Sequence, residues 1–321
     1  MAENGTRVFS NADGYAAGFG EARIDITIAG AGDFEARLTR LKLNHLGVWR
    51  CCESLPRIAF ISLPSQQTFL SFPVGRTSLV YNGFALRHGD MVLHGRGERA
   101  YQRSKGACQW GLISLSCGQF ARCAKALTGR PITSSQVSQI FRPGRAEMLR
   151  FQLLFREACR LAESKRQLIK RPEVARALEQ EILHAIINCL ITNATEDNQT
   201  RHRHAAIMVR FEQMLSQHAG QKLNIPALCA EIGVPERSLR LCCSEFLGVS
   251  PREYFFLRQL NKVRSALQRA DRSIATVAEI ARNHHFHEPG RFAVMYRAAF
   301  GESPSVTLQR GDPSSQPAGI A

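Results

Sequence analysis

Residues 225–248 (IPALCAEIGVPERSLRLCCSEFLG) and 277–301 (VAEIARNHHFHEPGRFAVMYRAAFG) repeat one pattern of apolar and turn-forming positions. Each copy predicts a helix, a tight turn and a second helix. Each also ends with a glycine, Gly248 or Gly301, followed three residues later by a proline, Pro251 or Pro304, an order that stops a helix. Because repeated helix-turn-helix units in a basic chain are typical of proteins that bind duplex DNA, the repeat predicts a DNA-binding domain.

The two copies differ by one residue at the turn. Leu228 precedes Gly233 by five residues, and Ile280 precedes His285 by five, so the copies run 52 residues apart before the turn. After the turn, Leu239 matches Phe292, which lies 53 residues further on. The second turn is therefore predicted to be one residue longer than the first.

The second helix of each unit is predicted to touch DNA. In a helix-turn-helix this helix places its outward side chains in the major groove, while its inner face packs on the domain. Helical spacing assigns the inner faces to Leu239, Cys243, Phe246, Phe292, Tyr296 and Phe300. The candidate DNA contacts are Glu236, Arg237, Ser238, Arg240, Leu241, Glu288, Gly290, Arg291, Val294 and Arg297.

Arginines carry most of the predicted recognition. Arg237, Arg240 and Arg291 are expected to read bases, because a guanidinium can donate two hydrogen bonds to O6 and N7 of guanine. Arg297 is expected to contact a phosphate. Taken singly, each of these arginines could equally be an ordinary solvated residue on a helix surface. The duplication of the whole motif favours the functional interpretation.

Residues 277–308 resemble the signature of the AraC family of bacterial transcription regulators, and residues 223–267 resemble the first helix-turn-helix and connecting helix of that family. The resemblance covers about a third of the chain. It implies a seven-helix DNA-binding domain whose two recognition helices enter successive major-groove segments on one face of the duplex. The N-terminal half is more loosely similar to the effector-binding and dimerisation half of some members, including the ethanolamine-operon regulator group.

The sequence departs from the family pattern at two kinds of position. His285 stands where the family's turn has Gly, which adopts positive φ more cheaply, so the turn is expected to be strained or slightly reshaped. Leu241 and Val294 occupy matching positions where Arg is common in the family. Both could contact a thymine methyl group, or they could merely reduce the number of polar contacts.

The N-terminal part of the chain is predicted to form antiparallel strands. Short apolar or alternating runs predict them at residues 47–51, 57–63, 68–72, 78–81, 91–93 and 110–115. Asn82-Gly83 predicts a type I′ hairpin, because both turn positions need positive φ. The expected fold class is α+β, with an N-terminal β-rich, cupin-like barrel or sandwich with helices and a C-terminal all-α domain that carries two helix-turn-helix motifs.

Helical periodicity begins after Gly118, and residues 119–127, 145–163 and 172–191 are predicted helices. Apolar positions such as Leu149, Leu153, Leu154 and Ala158 suggest that these helices cover the strands or pair two subunits. Residues 192–204 are crowded with small polar side chains and predict a linker. The predicted domains are residues 1–195 for effector binding and dimerisation (β-rich to about 117, helical over 119–191), residues 205–309 for DNA binding, with helix-turn-helix motifs at 225–247 and 277–300, and a flexible tail at 311–321.

Composition supports a polyanionic partner. The chain of 321 residues carries 42 Lys and Arg against 27 Asp and Glu, a formal charge of +15, which favours binding through phosphate neutralisation. A membrane surface would also attract this charge, but no apolar run approaches the roughly 18 residues of a membrane span. Residues 1–20 lack a hydrophobic signal core, so we expect a cytoplasmic protein without membrane association. The ten cysteines contain no Cys-x-x-Cys, and we expect reduced, mostly buried thiols.

Histidines provide the weak signals for other chemistry. His88, His94 and Glu98 could be compared with the two His and one Glu of a cupin metal site, but the usual His-x-His spacing is absent and isolated histidines are more often structural. His284, His285 and His287 cluster at the second turn, where phosphate proximity is a milder alternative to metal binding. No phosphate loop, nucleophile elbow or His-Glu-x-x-His motif occurs, so we expect no enzymatic activity and no cofactor.

These features predict a sequence-specific DNA-binding transcription regulator. The resemblance implies an effector-responsive activator that forms a homodimer and works with RNA polymerase. Trp49, Phe60, Phe72 and Trp110 could wall a pocket for a small-molecule effector, although aromatic side chains at such positions are more often simple core. Two alternatives remain open, namely a cupin-like metal-dependent enzyme with an appended DNA-binding domain, and a constitutive DNA-binding protein.

Overall fold

The computed structural model describes residues 4–129, 132, 135–191, 199–218 and 223–311. The strands in this part of the chain are β1 (Gly5–Phe9), β2 (Arg23–Ile28), β3 (Ala36–Lys42), β4 (Leu46–Glu53), β5 (Arg57–Ser62), β6 (Gln67–Pro73), β7 (Leu79–Tyr81), β8 (Phe84–Leu86), β9 (Met91–Leu93), β10 (Arg99–Ser104), β11 (Cys108–Ser116) and β12 (Gln139–Phe141). The helices are α1 (Ala12–Ala17), α2 (Cys117–Thr128), α3 (Arg145–Ser164), α4 (Arg166–Ile169), α5 (Pro172–Leu190), α6 (Gln199–Gln217), α7 (Ile225–Ile232), α8 (Glu236–Phe246), α9 (Pro251–Arg269), α10 (Val277–Asn283), α11 (Pro289–Phe300) and α12 (Pro304–Arg310).

The strands form two sheets. One has seven strands in the order β1-β3-β4-β11-β6-β9-β12, and the other has five in the order β2-β5-β10-β7-β8. All neighbouring strands in the two sheets pair in the antiparallel orientation. Each sheet has two different edge strands among the described residues. The α+β class is confirmed, and of the two predicted shapes the N-terminal half forms the sandwich, not the closed barrel.

Each sheet buries both of its faces, which gives the protein four layers. Along β5, Ala59 and Ile61 lie in the core between the sheets, whereas Ile58 and Phe60 belong to the core shared with the C-terminal helices. Along β4, Trp49 lies between the sheets, and alternate residues such as Val48 pack towards α2, α3 and α5. Side chains alternate along a strand, so burial on both faces explains the continuous apolar runs in the sequence.

This layering separates the four aromatic residues that were expected to wall one pocket. Trp49 and Trp110 lie in the core between the sheets. Phe72 faces α3, where its ring lies 4.8 Å from that of Phe151. Phe60 faces the C-terminal helices. The expectation of a common pocket was wrong, because these strands bury alternate residues on opposite sides of a sheet.

The hairpin at Asn82-Gly83 is confirmed. It joins β7 to β8, and both residues have positive φ, 43° at Asn82 and 77° at Gly83, as a type I′ turn requires. Asn82 is also buried, and its side-chain oxygen accepts a hydrogen bond from the backbone N–H of Tyr101 at 2.9 Å. The turn thus also fixes the neighbouring strand.

Helix α3 covers the seven-stranded sheet with only part of the face that the sequence suggested, because Ala158 is buried and Leu154 packs against the same core. Met148, Phe151 and Phe155 are buried, whereas Leu149 and Leu153 are exposed. The helix has apolar residues on two faces, and the face with the larger aromatic area packs on the sheet. Periodicity alone could not distinguish these two faces.

Several further elements differ from the sequence-based expectation. Helix α6 begins at Gln199, so residues 199–204 are helical and are not part of a linker. Strand β1 and helix α1 precede the first predicted strand, and β12 interrupts the region predicted to be helical. Residues 192–198 of the predicted linker and 312–321 of the predicted tail lie outside the described residues. All ten cysteines are free thiols, and in the part of the chain described no helix is long and apolar enough to cross a bilayer.

Candidate DNA interface

The first helix-turn-helix unit consists of α7 and α8. Asn224 caps α7 by accepting a hydrogen bond from the backbone N–H of Ala227 at 3.2 Å. Gly233 ends the helix in the left-handed conformation, with φ of 77°, and the N–H of Val234 donates to the carbonyl of Cys229 at 3.0 Å. This turn reverses the chain so that α8 packs across α7.

The second unit repeats this geometry with a histidine in the glycine position. Thr276 and Glu279 form a reciprocal capping box at the start of α10. His285 has φ of 67°, and the N–H of Phe286 donates to the carbonyl of Ala281 at 2.9 Å, the same five-residue span as in the first unit. The hydrogen bond of the first turn is retained in the second. The backbone at His285 is therefore strained, and the turn keeps its shape at this point. A non-glycine residue in this region costs about 1–2 kcal/mol.

The predicted inner faces of both recognition helices are confirmed. In α8, Leu239, Cys243 and Phe246 are buried, and in α11, Phe292, Tyr296 and Phe300 are buried. The rings of Tyr296 and Phe300 lie 4.7 Å apart, and the Tyr296 hydroxyl donates to Thr307 at 2.9 Å. Packing of these residues fixes which face of each helix is left to meet DNA.

The structure places the predicted contact residues on the outer faces. Eight are exposed, namely Arg237, Arg240, Leu241, Glu288, Gly290, Arg291, Val294 and Arg297, and Glu236 and Ser238 are half-buried. Glu236 accepts a hydrogen bond from Arg240 at 2.6 Å across one helical turn. Among the described residues, the side chains of Arg237, Arg291 and Arg297 form no ion pair. These three guanidinium groups are therefore available to phosphates or base edges.

A cleft beside α8 was not predicted from the sequence. It encloses about 1030 Å³ and is lined by residues at the start of α7 and α9 together with Arg240 and Arg252. Ser250 caps α9 by accepting from the N–H of Glu253 at 3.2 Å. Helix N-termini attract anions, but Glu236 and Glu253 also line the cleft, so Arg240 and Arg252 share it with two carboxylates. The Ser-Pro pair at residues 250–251 was the sequence signal for such a helix start.

A buried polar cluster fastens the C-terminal helices to the sandwich. Glu212 on α6 is only 3% exposed, and it accepts hydrogen bonds from Tyr101 on β10 at 2.5 Å and from Tyr254 on α9 at 3.1 Å. Arg258 lies 2.5 Å from the same carboxylate. Burial and then the nearby Tyr254 and Glu212 raise the pKa of Tyr101 well above the ordinary value, and burial and then Glu212 do the same for the pKa of Tyr254, so both remain hydrogen-bond donors. Sequence reasoning missed this cluster because its members are far apart in the chain.

The second unit is attached to the sandwich at a separate point. Asn261 on α9 exchanges two hydrogen bonds with the backbone of Ile28 at the end of β2, at 2.9 and 3.0 Å. The N–H of Gly32 donates to the carbonyl of Phe300 at 3.0 Å. Apolar residues of α11 belong to the same core as residues between the two sheets. The C-terminal helices thus contact the sandwich at two separate points.

The histidines singled out from the sequence do not converge. His88 is exposed and contacts the carbonyl of Gly75, whereas His94 is buried between Ser71 and Tyr81, at 2.8 and 3.0 Å. Within the described residues, no group of three His, Cys, Asp or Glu side chains could hold a metal ion. At the second turn, burial and Lys262 lower the pKa of His284, so it does not add a charge for phosphate at neutral pH.

Comparison with known proteins identifies the class of the C-terminal part. Residues 228–310 match a family model described as "Helix-turn-helix domain". This part of the chain is therefore a helix-turn-helix domain. Over 95 residues the chain is 37% identical to the "Probable thc operon regulatory protein" of Rhodococcus erythropolis, covering 30% of this chain and 29% of that protein. Over 134 residues it is 29% identical to the "XylDLEGF operon transcriptional activator 3" of Pseudomonas putida, covering 41% and 40%.

The matched regions therefore cover less than half the length of each of these two relatives. Among solved structures, it is similar to the AraC-like transcriptional activator CuxR, with a TM-score of 0.43 and 13% identity over 82% of this chain and 94% of that one. It is also similar to ToxT from Vibrio cholerae O395, with a TM-score of 0.30 and 12% identity over 91% and 98%.

Proposed function

We propose that this chain is a sequence-specific DNA-binding transcription regulator that contacts duplex DNA through α8 and α11. The observation that carries the proposal is the duplicated unit, in which both recognition helices bury their inner faces and expose the predicted contact faces. The matched helix-turn-helix domain and the relatives named as operon regulators support it.

The exposed side chains suggest a division of labour. Arg237 and Arg291, which lie near the starts of their helices, would donate to base edges in the major groove. Arg240 is held by Glu236, which directs its guanidinium along the helix surface. Arg297, six residues beyond Arg291 on α11, would contact a phosphate, as would the helix starts that line the cleft beside α8.

The rest of the regulatory function follows as part of the same proposal. The protein acts in the cytoplasm as a homodimer, works with RNA polymerase as an activator, and responds to a small-molecule effector bound by the N-terminal half. Tyr101 and Ile28 attach α6 and α9 to the sandwich, and the recognition helices pack against α6 and α9. A ligand that binds two conformations of the sandwich with different affinity would therefore alter the placement of both recognition helices. The proposal assigns the chain no catalytic role.

The direct test is selection of binding sites from a pool of duplexes with randomised sequence. We expect a defined consensus for the full-length protein, and loss of selection in an Arg237→Ala, Arg291→Ala double variant. Arg156→Ala serves as the matched control, because Arg156 is an exposed arginine on α3, away from both units. Recovery of unselected sequence by the unmodified protein would contradict the proposal.

A further inference from the structure

Leu241 and Val294 are exposed apolar side chains at equivalent positions of the two recognition helices. Each lies two residues after the first buried residue of its helix, Leu239 or Phe292, and the two are 53 residues apart, as are all matched positions after the turn. Leu241 is 57% exposed and Val294 is 70% exposed. The repeat has therefore kept an apolar side chain at the same outward point twice.

The surroundings of these two residues are polar. Leu241 follows Arg237 and Arg240 on the outer face of α8, and Val294 lies between Arg291 and Arg297 on α11. Exposed large apolar side chains are few in the described residues: Val8, Leu127, Val137, Leu149, Leu153, Ile191, Leu241, Ile274 and Val294. Two of the nine stand at matching points of the predicted DNA-reading faces, which favours a shared role over chance.

The ligand chemistry follows from what the major groove offers. Of the groups that base pairs expose there, the C5 methyl of thymine is the apolar one, and the remaining groups are hydrogen-bond donors and acceptors. A branched aliphatic side chain cannot form a hydrogen bond, but it can exclude water from a methyl group. The neighbouring arginines of each helix would hold it in the major groove, close enough for this contact.

We propose that Leu241 and Val294 each contact the methyl group of one thymine, so that the bound site carries a thymine at an equivalent position in each half. This inference rests on the proposed DNA-binding function and specifies what the two reading faces recognise. Two recognition helices in successive major-groove segments would place these thymines about 10 base pairs apart.

The test removes only the methyl group. In a duplex obtained by selection, each thymine is replaced singly by deoxyuridine, and the dissociation constant is measured by fluorescence anisotropy. We expect binding to weaken about fourfold at two positions, since burial of one methyl-sized group contributes roughly 0.8 kcal/mol. Substitution at other thymines is expected to have little effect.

Variants assign each position to its side chain. Leu241→Ala should abolish the deoxyuridine effect at one position and leave the other, and Val294→Ala should do the reverse. Leu149→Ala is the matched control, since Leu149 is 56% exposed on α3, and it should preserve both effects. Selective binding that tolerates deoxyuridine at every thymine, or an unchanged profile in both variants, would overturn the inference. Failure to select any sequence would instead refute the proposed function itself.

Discussion

Tyr101 on β10 donates a hydrogen bond of 2.5 Å to Glu212 on α6, so a strand of the sandwich and a helix of the C-terminal part share one buried carboxylate. Tyr254 and Arg258 on α9 complete the same cluster. The first helix-turn-helix unit packs around this cluster, and Ile58 and Phe60 of β5 contribute to its core. The position of the recognition helices is therefore determined in part by the N-terminal half.

Replacement of Glu212 by Gln is expected to destabilise the protein by up to about 3 kcal/mol, because it removes the carboxylate 2.5 Å from the mostly buried Arg258. Urea unfolding followed by circular dichroism measures the change. Glu157→Gln is the control, since Glu157 and its partner Arg160 are about half exposed and such surface pairs contribute little. Equal midpoints for Glu212→Gln and the unmodified protein would contradict the role of the cluster.

A second buried ion pair predicts a pH dependence. Burial alone would raise the pKa of Glu53, but the guanidinium of Arg57 at 2.8 Å and hydrogen bonds from Cys108 and Trp110 outweigh it, so the pKa lies below the ordinary 4.5. The unfolded chain then binds the proton more tightly than the folded one. The stabilisation is complete above pH 4.5 and is lost as the pH falls through the lower value in the folded state.

Comparison of Glu53→Gln with the unmodified protein isolates this contribution. We expect the variant to be less stable at pH 7, because Arg57 is buried and loses its partner, and the difference between the two proteins should shrink as the pH falls below 4.5. Thermal melts between pH 7 and pH 3 provide the measurement. A difference that stays constant over this range would show that Glu53 does not titrate as described.

The second turn offers a stabilising substitution. His285→Gly should increase the free energy of unfolding by about 1 kcal/mol, because Gly adopts the observed φ of 67° without the steric cost that His bears. His287→Gly is the control, since His287 is also exposed but has no positive φ. If both variants lose stability equally, the turn does not carry the expected strain.

Arg291 and Arg297 should respond differently to alanine substitution. Arg291→Ala is expected to weaken binding to the selected duplex by about 1–3 kcal/mol and to relax the choice of base at one position. Arg297→Ala should weaken binding to all sequences alike and reduce the slope of log K against log salt by about 1. Titrations at several salt concentrations separate these outcomes, and identical behaviour of the two variants would contradict the assignment.

The sequence predicted the parts of the structure that depend on local pattern. The hairpin at Asn82-Gly83, the two helix-turn-helix units and the buried faces through Leu239 and Phe292 all follow from turn chemistry and helical spacing. The two-sided burial of β5 was implied by its apolar run, but that run does not say what covers each face. Which layer meets Phe60 is decided by tertiary packing between distant segments.

The polar cluster at Glu212 was beyond sequence reasoning for a related reason. A lone acidic residue between the apolar Phe211 and Leu215 is an indication of a buried carboxylate, since such a group needs partners. Its partners, however, lie 111 residues upstream and 42 residues downstream, and nothing local to α6 identifies them. Likewise, two apolar faces on α3 left the packed face undetermined until the sheet was in place.

Hydroxyl-radical footprinting of the full-length protein on a selected duplex tests the central claim most directly. If α8 and α11 read DNA together, cleavage should be reduced in two segments about 10 base pairs apart on one face of the helix. Arg291→Ala should weaken protection in one segment more than in the other. A single protected segment would contradict simultaneous reading by both units. So would two segments whose protection does not change when residues of α8 or of α11 are substituted.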